Sequence, residues 1–196
     1  MAMKKENISR EKLLDAAFLE VYTQGYHGAA TASILKSAGV PKGSMYHHFD
    51  SKKALVLALI DERILPKMDQ FFTFERADGE SAYGCIKRTF RHMGINKPLI
   101  TYGCPLYRLM VEMSSLDVEF ERAVNSGFEH FLLRLKKLLD EGVDEGEFRV
   151  FDTREFSEFL ITATWGRLSL SPSLSSSTSF KTHANFILEL LKSYKN

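Results

Sequence analysis

The chain has 196 residues, 44% of them apolar, and a formal net charge of +1, enough length and apolar content for one ordinary domain or a small one joined to a larger one. Its longest uninterrupted apolar run, Ala54–Ile60, falls far short of a membrane span, so no membrane partner is expected. Two cysteines, Cys85 and Cys104, have neither the number nor the spacing of a disulfide framework or a zinc site.

The near-zero net charge hides an asymmetry. Residues 1–53 hold eight Lys/Arg against five Asp/Glu, whereas residues 54–196 hold eighteen against twenty. Positive charge at one end suits a small nucleic-acid-binding head on a neutral or acidic body. The opening "MAMKKENISREK" is polar and leads into no apolar core of signal-peptide type, so a reducing cytoplasm is the expected location.

Helical periodicity dominates, and no stretch alternates convincingly at period two. The first helix is predicted from about Arg10 to Gln24, capped by Ser9, with Leu14, Phe18, Val21 and Tyr22 at helical spacing and Gly25 as its stop. A second, Thr31 to Ala38, turns Ile34, Leu35 and Ala38 inward and ends at Gly39. Pro41 suits the first turn of a third helix, in which Met45 and Phe49 share a face. Asp50 and Ser51 break and recap the chain, and a fourth helix starts at Lys52, interrupted or kinked at Pro66. Further amphipathic segments are predicted near 80–94, 104–114, 117–142, 153–168 and 179–194. Between them lie the joints "INKP", "EGVDEGE" and the serine-rich "SLSPSLSSSTS", the last expected as a solvated loop.

Two short helices joined through "SAGV" are the parts of a helix-turn-helix, whose second helix enters the DNA major groove while the first braces it. Gly39 supplies the positive φ of the turn, Ala38 permits close crossing, and Val40 fills the gap. The third helix then presents Lys42, Gly43, Ser44, His47 and His48, with Tyr46 at its edge and no carboxylate among them. Phosphate oxygens and base-edge acceptors call for such a surface. Lys52, at the start of the fourth helix, joins side-chain charge to helix-end N–H groups, while Lys53 is expected as a solvated neighbour.

The stretch "REKLLDAAFLEVYTQGYHGAATASILKSAGVPKGSMYHHFDSKKAL" resembles the N-terminal domain of the TetR family of one-component transcription regulators. The matching features are Gly25, Thr31, Ile34, Ala38-Gly39-Val40, Lys42-Gly43, Tyr46, His48-Phe49 and Ser51-Lys52. The body is similar to one subset of that family through "YGCPLYRLMVEMSSLDVEFERAV" and "DEGEFR".

The resemblance implies an all-α homodimer. Residues 1–52 would form a helix-turn-helix DNA-binding domain, 53–76 a connecting helix, and 77–196 a helical effector-binding and dimerisation domain. By carry-over, Thr31, Lys42, Tyr46, His48 and Lys52 would contact phosphates of double-stranded operator DNA, while Lys42, Gly43, Ser44 and His47 would face base edges. Ala29 and Ala30 depart from the pattern, standing where many relatives carry threonine, so fewer backbone contacts are expected from the start of the second helix.

In the body, Phe90, Met93, Cys104, Tyr107, Met110, Phe128 and Trp165 are candidates to line a pocket for an unknown small-molecule effector. Such stripes are ordinarily core, and methionine-rich aromatic space also makes adaptable pockets, so both readings stand at this point. Cys104, just before Pro105 at an expected helix start, is a candidate thiol sensor of electrophiles, against the simpler reading of an inert buried cysteine. Phe156, Leu160, Ala163, Phe186, Ile187 and Leu190 on the last two helices are candidates for a four-helix bundle about a two-fold axis. A single head offers too few contacts for a specific site, which favours a dimer.

No G-x-S-x-G, H-E-x-x-H, C-x-x-C or phosphate-loop motif is present, so no catalytic residue, metal or cofactor is expected. A helical scaffold without DNA partners is the alternative, and it leaves the basic third helix unexplained.

Overall fold

The computed structural model describes residues 2–170, 174 and 176–196. It is all-α: α1 (Ala2–Gly28), α2 (Thr31–Ala38), α3 (Lys42–His48), α4 (Lys52–Leu59), α5 (Leu65–Phe71), α6 (Ala82–Ile95), α7 (Lys97–Tyr102), α8 (Pro105–Met113), α9 (Val118–Asp144), α10 (Thr153–Leu168) and α11 (Ser177–Lys192). Two compact units interleave along the chain. One holds the residues up to Met68 with Pro105–Asn125; the other holds Asp69–Cys104 with Ser126–Asn196.

In the first unit α1 packs against α2, α3, α4 and α8. Leu13, Leu14, Ala17 and Val21 of α1 join Ile34, Met45, Leu55 and Leu59 in a solvent-free core. The helix begins well before the expected Arg10, because nothing in the preceding residues breaks it. Ser9 is therefore not its cap but an interior residue, and its hydroxyl serves another helix, as described below. Gly25, at φ 78° and ψ 177°, interrupts the helical path where the sequence places a stop, and one further turn follows it.

Pro66 does not break the fourth helix. α4 runs through a π-helical turn, Ile60–Ile64, directly into α5, and the N–H of Leu65 reaches back five residues to the carbonyl of Ile60. The widened turn accommodates a residue that has no N–H and whose ring crowds the preceding turn.

In the second unit Trp165 is fully buried, with the ring of Phe128 at 5.5 Å between centroids. The ring of Phe131 stands 5.4 Å from that of Phe72 in the same core. Gly142 is required by packing: a Cβ there would come within 2.7 Å of the Phe148 ring and 3.0 Å of Ala82. α7, which the sequence reading missed, starts within the "INKP" joint; Asn96 caps it by accepting from the N–H of Leu99 at 2.9 Å. The "EGVDEGE" joint is shorter than expected, because α9 continues to Asp144 and turns at Gly146 with φ 74°.

Of the serine-rich segment, residues 171–173 and 175 lie outside the described residues. Ser176 and Ser179 form a reciprocal capping box at the start of α11, two residues earlier than expected.

Candidate nucleic-acid interface

Helix α3 is only seven residues long, and its neighbours hold it in place. Met45 is completely buried and Phe49, its C-cap, is nearly so. The Arg10 guanidinium lies 5.1 Å above the Phe49 ring and is itself fixed by two hydrogen bonds to Glu62 at 2.5 and 2.6 Å. That pairing pushes the Glu62 carboxyl down from its ordinary range and the Arg10 guanidinium up. On the other side, Gly39 takes the left-handed conformation at φ 64° and ψ 34°. Its N–H donates to Lys36 and that of Val40 to Leu35, each at 3.2 Å, closing α2 and redirecting the chain to Pro41.

With Met45 turned inward, the outer face of α3 follows. Lys42, Gly43, Tyr46 and His47 are exposed, while Ser44 and His48 are half-buried. The Lys42 ammonium sits 5.9 Å from the centre of the Tyr46 ring. From Thr31 to Phe49 the chain contains no Asp or Glu. Gly43 is informative for a negative reason: a Cβ there would meet nothing within 4 Å. No packing inside the chain needs a glycine at that helical position.

Two of the anticipated contact residues have internal partners. His48 Nε2 lies 2.7 Å from the Ser9 hydroxyl, bracing the end of α3 against α1. The Lys52 ammonium lies 4.6 Å above the Tyr26 ring, and its burial pushes the amine below its ordinary value, an effect partly opposed by the charge of Glu112. Lys53, expected to be solvated, forms ion pairs with Asp117 at 2.6 Å and Glu119 at 3.3 Å. Ser51 caps α4 as anticipated, accepting from the N–H of Ala54 at 3.0 Å. At the start of α2, the N-cap Ala30 has no side-chain cap and Thr31 is half-buried.

The sequence reading missed Glu112 altogether. Its two carboxylate oxygens accept the backbone N–H groups of Tyr26 and His27, each at 2.7 Å, just after the Gly25 break. A Cβ on Gly25 would lie 2.6 Å from one of those oxygens. The positive φ of Gly25 and the carboxylate of Glu112 are two halves of one clamp. Lys53–Asp117 forms a second link beside it, so α8 and the start of α9 hold the end of α1 and the start of α4.

The effector candidates are divided between the two units. Phe90, Met93, Cys104, Phe128 and Trp165 belong to the second unit, whereas Tyr107 and Met110 belong to the first. Phe90 and Met93 border a void of about 10 Å³, with Phe72, Leu160 and the partnerless hydroxyl of Thr164. Such a space holds about one water rather than a ligand. Cys104 is 1% exposed and immediately precedes α8. Cys85 is also buried, and desolvation pushes its thiol up to about 11.

Among the dimer candidates, Phe156, Leu160 and Ile187 are turned into the core of their own unit, because they fall on the buried stripes of α10 and α11. Phe186 and Leu190 are exposed, and Ala163 is half-buried. Phe159, 39% exposed on α10, shares that outward character.

These features define a helix-turn-helix head, with a short cationic helix held over an apolar anchor, joined to a helical body. Two family models match the chain. That of the bacterial regulatory proteins of the tetR family covers residues 13–59, and that of the tetracyclin repressor-like C-terminal domain covers residues 88–185, half of the chain. The chain belongs to the TetR family.

It is 31% identical over 147 residues to the transcriptional regulator AcuR of Cereibacter sphaeroides, covering 72% of this chain and 65% of that one. It is 30% identical over 122 residues to an uncharacterized HTH-type transcriptional regulator of Lactococcus lactis, covering 61% and 62%. Along both of these relatives the chain spans less than two thirds of the length. The HTH-type transcriptional repressor NemR of Escherichia coli is 29% identical over 140 residues, 70% of each chain. Among solved structures, the reduced form of E. coli NemR superimposes with a TM-score of 0.79 at 22% identity, over 96% of this chain and 98% of that one. A TetR regulator from Chloroflexus aurantiacus does so with a TM-score of 0.83 at 24% identity, over 96% of each. At these identities the structural likeness bears on the fold.

Proposed function

We propose that the chain is a homodimeric DNA-binding transcriptional repressor, which holds a near-palindromic operator through two copies of α3 and is released by a small-molecule effector. The observation that carries this reading is the outer face of α3, with donors and no carboxylate from Thr31 to Phe49 and a glycine at residue 43 that no internal packing requires. A glycine inside a helix costs about 0.5–1 kcal/mol relative to alanine. Its use here fits close approach by a surface outside the chain.

Lys42, Gly43, Ser44 and His47 are assigned to base edges, and Thr31, Lys42, Tyr46 and Lys52 to phosphates. His48, tied to Ser9, mainly positions α3. The exposed Phe159, Phe186 and Leu190 support a subunit contact through α10 and α11, which would place the two recognition helices about 34–36 Å apart on the duplex. No helix among the described residues is long and apolar enough to cross a membrane, and a protein that binds an operator would work with the chromosome in the cytoplasm. No catalytic step, metal or cofactor is assigned.

Fluorescence anisotropy with the DNA upstream of the protein's own gene tests the reading. Lys42→Ala should weaken binding by about 1–3 kcal/mol, roughly five- to 150-fold, and lower the slope of log affinity against log salt by about one per subunit. Affinity and salt slope both unchanged in that variant would remove α3 from the interface.

A further inference from the structure

α6 and α11 pack against each other in the second unit, and between them lies a groove of about 620 Å³. That volume falls within the roughly 300–1,000 Å³ of small-molecule sites. Phe90 from α6 and Phe180, Ala184 and Leu188 from α11 give it an apolar floor. Gly94 sets one end, since a Cβ there would press to 3.3 Å from the Phe180 ring.

The rim is cationic. Lys87 and Arg91 stand four residues apart on one face of α6, and Lys181 lines the α11 side. The acid on the rim, Glu80, is already engaged: Arg88 donates to it at 2.8 and 2.9 Å, and the N–H of Ala77 at 3.0 Å. Elsewhere in the unit Arg76, Arg134, Arg154 and Lys136 each hold a carboxylate. Among the described residues Lys87, Arg91 and Lys181 hold none. The groove is also separate from the outward dimer face. Phe186 lies about 200° of helical rotation from Ala184, on the other side of α11.

We propose that this groove binds an amphipathic carboxylate, with its acyl chain along the apolar floor and its head group among Lys87, Arg91 and Lys181. The chemistry follows from the two surfaces together. An apolar floor takes alkyl area out of water, and three cations without acidic partners attract a single anionic head. A purely polar anion leaves the floor wet, and an uncharged amphiphile leaves the rim unused. If this ligand is the effector, its action on the operator rests on the regulator reading; its binding does not.

Isothermal titration of the full chain with sodium decanoate, n-decanol and acetate tests the assignment. Decanoate should bind saturably, one per subunit, with decanol and acetate each at least about tenfold weaker. The Lys87→Gln/Arg91→Gln/Lys181→Gln variant should lose about tenfold or more for decanoate while keeping the wild-type Tm and oligomeric state. Ala184→Phe, which fills the floor and leaves the charges alone, should weaken decanoate by a similar factor.

Equal affinity for decanol and decanoate, or wild-type decanoate binding in the triple variant, overturns the proposal. So does dissociation of the triple variant into monomers, which would assign the cations to a subunit contact. Anisotropy on the same preparations separates the two readings. Operator binding without decanoate binding removes the groove site alone, and decanoate binding without operator binding removes the regulator reading alone.

Discussion

The outer face of α3 and the groove between α6 and α11 both present cations that, among the described residues, no acid neutralises, yet what lies beside those cations differs. Next to Lys42 are Gly43, Ser44 and the ring of Tyr46, with the apolar anchor Met45 hidden behind the helix. Beneath Lys87, Arg91 and Lys181 lie Phe90, Phe180 and Leu188, whose edges line the depression itself. Charge alone therefore does not determine the partner. A cationic helix with a polar, glycine-opened face suits a rigid polyanion that offers acceptors along its length, whereas a cationic rim over apolar side chains suits a short anion with a hydrocarbon tail.

The two regions also differ in how they are held. α3 is too short to persist alone and depends on one deep anchor, so the strongest way to break the comparison is Met45→Ala. Truncating a fully buried methionine should cost about 2–5 kcal/mol and abolish operator binding, while a folded second unit keeps its groove. Chemical denaturation followed by decanoate titration checks both halves. Loss of ligand binding together with operator binding would mean that the regions are not independent.

Next in size is Glu112→Ala. It leaves the N–H groups of Tyr26 and His27 without their carboxylate, at a cost of about 2–3 kcal/mol for two charge-assisted bonds. The double variant with Gly25→Ala should lose less than the two single losses added together, since the added Cβ crowds an oxygen that is no longer there. Additive losses in thermal unfolding would show that the two residues do not act as a clamp.

Gly43→Ala sharpens the comparison with a smaller effect of opposite sign in two assays. It should stabilise the fold by no more than the roughly 0.5–1 kcal/mol of a helix-interior glycine, because alanine is the better helix former and a Cβ has open space, while operator affinity falls. A variant that is both more stable and equally tight on DNA would remove Gly43 from the interface.

The last effect is read against pH and concerns Glu80, whose carboxyl is held down at about 2, first by its hydrogen bond to Arg88, against an ordinary 4.5. A carboxylate depressed in the folded state stabilises fully above its unfolded value and loses that contribution as pH falls through the folded one. The wild type should lose this stability between about pH 4.5 and 2, and Glu80→Gln should flatten the profile in that window. Parallel wild-type and variant profiles there would contradict the pairing.

Much of the head was legible in the sequence. Gly39, Pro41 and Ser51 act within four residues of themselves, and each stands where its local chemistry suggested, with Pro41 as the N-cap of α3 rather than in its first turn. The start of α1 was misjudged because a good cap residue such as Ser9 carries no obligation to cap when the preceding residues are helix formers. α7 was missed because six residues are too few for a periodic signal. On α10 and α11 the apolar positions were correctly read as helical, but periodicity does not say which apolar residues face inward; Phe156 and Ile187 do, Phe159 and Phe186 do not.

By itself, then, the sequence determined most helix positions, the turn between α2 and α3, and the absence of acids along the recognition face, because propensity, capping and local composition operate over a few residues. Only the tertiary structure decided that Glu112 holds the backbone 86 residues away, that Lys53 belongs to Asp117, and that among the described residues three cations of the body are left without acids over an apolar floor. Those outcomes depend on which side chains meet after the chain has packed, and a carboxylate's spelling is the same whether its partner is solvent, a lysine or a distant pair of N–H groups.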